Sequence, residues 1–189
     1  MKKLFYIGAM SALLLAACGE EETKPKEEKP VTTETKDKKE EKKEASELTI
    51  EQYETNFRNA FNEFKGNSNI NLGKMEKLDN GRYSIILNSN IMLFADVNKN
   101  NKVTLVNIAA LSNAVNEYNN ELKSAFQALI KSVDENITPT QQSVIFEKLG
   151  ITGDEKMLDH TDTYKFNDIM FTYRAKNEEG TLVFLAKFN

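Results

Sequence analysis

Three places in this 189-residue chain hold side chains whose type and spacing could do chemistry. The first is Cys18, the only cysteine, which follows Leu15-Ala16-Ala17 directly. A lone thiol cannot close a disulfide within the chain, so modification is its natural use. The second is "DVNKNNKVTLVN", residues 96–107, where Asp96, Asn98 and Asn100 fall at positions 1, 3 and 5 of a calcium-loop template. Calcium takes about six to eight oxygens and several negative charges. Here Asn101 replaces the glycine at position 6 and Asn107 the bidentate glutamate at position 12, leaving one carboxylate. A polar hairpin loop is the better reading, and the sequence gives no metal site. The third is His160, the only histidine, set between Asp159 and Asp162 in "DEKMLDHTD", residues 154–162. Acids beside an imidazole favour its charged form, which would suit a pH sensor or part of a loose cation site. No second histidine is present to complete a metal set, so a solvated loop before a strand is expected.

Other chemistries leave no mark. There is no G-x-S-x-G elbow for a serine nucleophile. The glycines from Gly66 to Gly180 stand singly at turns or element ends rather than in a phosphate-cradling run. Carboxylates paired for glycoside hydrolysis are not signalled. A formal charge of −4 without a basic stripe argues against nucleic acid as a partner. The expectation is therefore no enzyme and no cofactor.

The cysteine is explained by what precedes it. Met1-Lys2-Lys3 is a basic start, and residues 4–17, "LFYIGAMSALLLAA", carry no charge. A spanning helix needs about 20 apolar residues, so this run is too short and reads as the core of a signal peptide. Leu15-Ala16-Ala17-Cys18 resembles the lipobox of bacterial lipoproteins. That resemblance implies that residues 1–17 are removed and that Cys18, carrying a diacylglyceryl group, becomes the first residue. Its acyl chains would then anchor the chain on the outer face of the cell membrane. Two acyl chains, at about 0.8 kcal/mol per buried CH₂, hold a protein on a bilayer where one does not. Losing Lys2 and Lys3 would take the formal charge from −4 to −6.

After Cys18 the chain turns polar. Residues 19–47, "GEEETKPKEEKPVTTETKDKKEEKKEASE", hold 11 acids, 8 lysines, no aromatic residue and one large aliphatic residue, Val31. Such a segment cannot bury enough apolar surface to offset its ordering entropy. Residues 18–47 thus read as a lipidated cysteine and a disordered charged stalk, reaching on the order of 30 Å.

Residues 48–189 form a single globular domain, long enough to bury about two-thirds of their unfolded surface. Thr49 and Gln52 make a capping box, followed by Tyr53, Phe57, Phe61 and Phe64 on one helical face, with Gly66 as the stop. The period then changes to two. Strands are predicted at 74–79 and 82–88 around Asn80-Gly81, and at 91–97 and 103–110 around "NKNN". A long helix follows from Leu111 to Val133. A shorter one starts at Thr138-Pro139 and ends at Gly150. Strands near 163–166, 168–176 and 181–188 close the chain. The fold class expected is α+β, an antiparallel sheet with helices packed on one face, in the order α-β-β-β-β-α-α-β-β-β.

As a whole the chain resembles the small surface lipoproteins of Gram-positive bacteria, with lipobox, Lys/Glu stalk and compact α+β domain. The segments "ITPTQQSVIFEKLGI" and "YKFNDIMFTYRAKNEEGTLVFLAKF" are loosely similar to domains of such proteins. Some of these lie on phages and conjugative elements and block entry of a second element. The function expected is a lipid-anchored extracytoplasmic module. It would have the membrane as one partner, through its anchor, and an envelope or surface protein as the other. The alternative is a small-ligand carrier or sensor with a cavity between helices and sheet. An interaction module would show an exposed apolar patch, and a carrier a pocket of a few hundred Å³.

Overall fold

The computed structural model describes residues 46–188 apart from 67, 69 and 153–158. The signal segment, Cys18 and the charged stretch to residue 45 lie outside the described residues, as does the part of the acidic segment before Asp159. The first helix, α1 (Ile50–Phe64), starts as its capping box dictates. Thr49 Oγ1 accepts from the Gln52 N–H at 3.3 Å, and Gln52 Oε1 accepts from the Thr49 N–H at 2.9 Å. Two donors that the first turn would otherwise leave unpaired are thereby satisfied. The 4-residue spacing stacks Tyr53 on Phe57 and Phe57 on Phe61, with ring centroids 6.2 and 6.0 Å apart, all three fully buried.

Four strands follow: β1 (Glu76–Lys77), β2 (Tyr83–Ile86), β3 (Ile91–Val97) and β4 (Val103–Leu111). Three helices come next, α2 (Ala114–Glu117), α3 (Asn119–Val133) and α4 (Pro139–Lys148). The chain closes with β5 (Thr161–Phe166), β6 (Ile169–Lys176) and β7 (Thr181–Phe188). All strands join one antiparallel seven-stranded sheet in the order β1-β2-β3-β4-β7-β6-β5. The fold is α+β. Two meanders, β1 to β4 and β5 to β7, meet where β7 pairs with β4.

The expected order differs in the middle, where three helices stand instead of two. Leu111 is the last residue of β4, its N–H donating to the Asn90 carbonyl at 3.0 Å, so the helix does not begin there. The backbone then breaks at Tyr118, with φ −135° and ψ 36°, between α2 and α3. Asparagine side chains compete for backbone groups and weaken helix interiors. Asn119 does so here, donating to the Val115 carbonyl at 2.9 Å. The first strand shrinks to Glu76–Lys77, both exposed, because no apolar face holds it to the sheet. The strand expected at 163–166 instead begins at Thr161, with Asp162 opposite Tyr173.

Strands β6 and β7 alternate as a half-covered sheet should. Ile169, Phe171, Tyr173 and Ala175 are buried on β6, and Leu182, Phe184, Ala186 and Phe188 on β7. Helices α3 and α4 close over this face. Phe126 of α3 meets Phe184 at 4.9 Å and Tyr173 at 6.1 Å, and Phe146 of α4 reaches Phe184 at 6.5 Å. Phe171 stacks on Phe184 from the neighbouring strand at 6.2 Å. Phe184 is thus the side chain on which sheet and helices converge. Truncating it to alanine is expected to lower unfolding stability by about 3–5 kcal/mol. Ile86→Ala, at the exposed end of β2, should change it by no more than about 0.5 kcal/mol. Urea unfolding of the two variants checks the contrast.

Candidate functional site

The calcium-like segment folds as a hairpin turn in which Asp96 and Asn98 each already use a side-chain oxygen. Asp96, on β3, accepts from Arg82 Nε at 2.6 Å, and the Arg82 guanidinium lies 5.0 Å over the Phe94 ring. Register explains the pairing: Tyr83 sits opposite Ala95, so the residues just beyond them approach each other. Asn98 Oδ1 accepts from the N–H groups of Asn100 and Lys102, at 2.9 and 3.1 Å. Asn101 takes φ +61° and donates from Nδ2 to Glu51 Oε1 at 3.0 Å. The loop therefore latches the start of α1 rather than gathering oxygens around a cation. Lys102 Nζ adds a bond to the Glu47 carbonyl.

His160 is also held by structure. Its Nε2–H donates to the Leu149 carbonyl at 2.9 Å, one of the carbonyls left over at the end of α4, with Asp162 Oδ2 3.7 Å away. The ring lies against Tyr173 with centroids 5.0 Å apart. Gly150 makes room for this contact: its φ is +67°, and a Cβ there would stand 3.0 Å from Nε2. His160 thus staples the end of α4 to the start of β5. Among the described residues, no cluster of three or more His, Cys, Asp or Glu could hold a metal ion.

The aromatic stripe of α1 is core, not a ligand platform. A depression of about 210 Å³ lies outside it, lined by Arg58, Asn62, Lys65, Ile70, Asn71 and Leu72. Arg58 is already committed there, to Glu54 at 2.7 Å and to the Gly73 carbonyl at 2.6 Å. The phenols of Tyr53 and Tyr173 are pushed well above their ordinary range by burial, so both stay neutral.

The feature that sequence reasoning missed is the other face of the sheet. Register places Leu105 of β4, Lys187 of β7, Met170 of β6 and Lys165 of β5 in one row. In the next rows Leu185 and Val183 lie beside Asn107 and Ala109, with Met92 and Ile86 beyond on β3 and β2. Leu105, Met170, Val183 and Leu185 are half-buried, and Ile86 is 45% exposed, the one exposed large hydrophobic among the described residues. The helix ring contacts described above all reach the opposite face. Charges border the row of apolar groups. Glu179 accepts from Arg174 at 2.9 Å and pairs with Lys176 at 2.9 Å. The hydrogen bond from Lys176, aided by Arg174, holds its carboxyl below the ordinary glutamate value. Alternation along β6 and β7 marks their outward residues in sequence. Only the strand order shows that those residues adjoin.

Comparison with protein-family models, curated proteins and solved structures finds nothing that matches this chain.

Two predictions follow from these arrangements. A depressed carboxyl stabilises the fold fully above its unfolded value, near 4.5, and loses that contribution as pH falls through the lower folded value. Glu179→Gln should accordingly flatten the acid limb of the stability profile below about pH 4.5, and carboxyl NMR titration should place Glu179 below that value. Asn107 carries an acceptor, Oδ1, buried without a partner on the second face of the sheet, where Phe94, Met92 and Ala109 beside it are also buried. Leaving such a group unsatisfied costs about 1–3 kcal/mol, so Asn107→Leu should raise the urea midpoint.

Proposed function

We propose that this chain is a lipid-anchored extracytoplasmic protein-interaction module, held by Cys18 on the outer face of the cell membrane and acting by binding rather than by catalysis. The observation that carries the binding role is the helix-free face of β6 and β7, where the half-buried Met170, Val183 and Leu185 stand beside the exposed Lys187. Apolar groups left partly exposed together on one face are what a partner protein covers. Support for the anchor is the lipobox resemblance of Leu15-Ala16-Ala17-Cys18 after a basic start and an uncharged run. The charged stretch 19–47 then lifts the domain from the bilayer, and a mature charge of −6 keeps it standing off an anionic surface. Blocking entry of a second mobile element, as some Gram-positive surface lipoproteins do, is one role that such a module fills.

The reading is tested by crosslinking on intact cells, with Cys18→Ala as the unanchored control. The wild-type chain should fractionate with membranes, label with palmitate and give one specific envelope-protein adduct. The Cys18→Ala chain should be released and lose the adduct. A wild-type chain that takes up no lipid, or gives no adduct above background, overturns it.

A further inference from the structure

We propose that the β5-β6-β7 part of the second sheet face docks a partner protein presenting an apolar strip edged by carboxylates, an inference that rests on the function proposed above and names the partner's chemistry. The row Asp96, Leu105, Lys187, Met170, Lys165 runs across five adjacent strands from β3 to β5. Asp96 is neutralised by Arg82 at 2.6 Å. Lys187 and Lys165 have no carboxylate partner among the described residues, and they bracket Met170. Strands lie about 4.8 Å apart, which sets the two lysine positions roughly 10 Å from each other. Farther along the same strands, Arg174 and Lys176 share the single acid Glu179. The β5-β6-β7 half of this face is therefore cationic, in a chain whose formal charge is −4. Charge of this kind around an apolar centre steers and orients a partner of opposite sign.

The same observations weigh against other occupants. A second copy related by a two-fold axis would bring one cationic face against another. A membrane takes protruding apolar groups some 5–10 Å into its headgroup boundary. Here the apolar groups nearest the lysines, Leu105, Met170 and Leu185, are half-buried among their neighbours.

The test places a photo-crosslinking benzoylphenylalanine at Thr172, on β6 beside Leu185, in the full lipidated chain on intact cells. A comparison chain carries it at Glu147, exposed on α4. The expected result is one protein adduct from Thr172 and none from Glu147, with the linked peptide holding Asp or Glu around apolar residues. Lys165→Glu combined with Lys187→Glu should cut the adduct at least tenfold, while the paired Lys→Arg variant keeps it. Melting curves for both pairs should overlay the parent's, since exposed substitutions of this kind leave stability nearly unchanged. An adduct with lipid, with residues 19–45 of the same chain, or with a second copy overturns the inference. So does an adduct that charge reversal does not reduce, or one whose linked peptide lacks acids. A protein adduct from Glu147 alone overturns this face while leaving the anchored module standing, whereas no protein adduct from either position overturns both.

Discussion

The pairing of β4 with β7 is the constraint on which the rest of the molecule depends. It runs from Leu105 opposite Lys187 to Leu111 opposite Thr181, joining segments about 80 residues apart in sequence. Without it the chain holds two separate meanders, each with an unpaired edge and half a face to bury. Its ladder is also the spine of the core. Val106, Ile108 and Ala110 stand opposite Ala186, Phe184 and Leu182, and all six are fully buried. Ordering so long an intervening segment is costly, so this seam forms only because the helices between its strands bring apolar surface to cover it.

Those helices explain why the two sides of the sheet diverge. Phe126 and Phe146 reach Phe184 from one side, and the aromatic stripe of α1 packs on that same core. The connection from β4 to β5 is spent there. On the second side the seam sets Leu105, Ala109, Val183 and Leu185 next to one another, Ala109 buried and the other three half-buried. One pairing therefore generates both the stable interior and the mixed apolar and cationic character of the second face.

Sequence showed what local rules decide. Both capping boxes, the stripe Tyr53-Phe57-Phe61 and the two-residue period of β6 and β7 depend on neighbours within a few positions, and each stands where it was expected. Leu111 was misplaced because its apolar side chain suits a helix start as well as a strand end, and a backbone bond to Asn90 decides between them. The candidate site was less legible. Asp96 stood out in the sequence only as a weak calcium candidate within a polar hairpin loop, and its partner Arg82, 14 residues away, meets it only through strand register. Lys165 and Lys187 are unremarkable in sequence, and become neighbours only because β6 stands between their strands. Adjacency across a sheet is a property of strand order, which no window along the chain contains.

The way the chain enters the domain sets its mechanics. The N–H of Ser46 donates to the Val103 carbonyl at 2.8 Å, and the Val103 N–H to the Leu48 carbonyl at 3.0 Å, so the entering segment is stitched to the first residue of β4. Tension on the preceding residues is therefore delivered to a central strand of the sheet, not to an edge or a loose helix end. The Lys102 Nζ bond to the Glu47 carbonyl shares that load, so a pull on the junction acts on three bonds together at the start of β4.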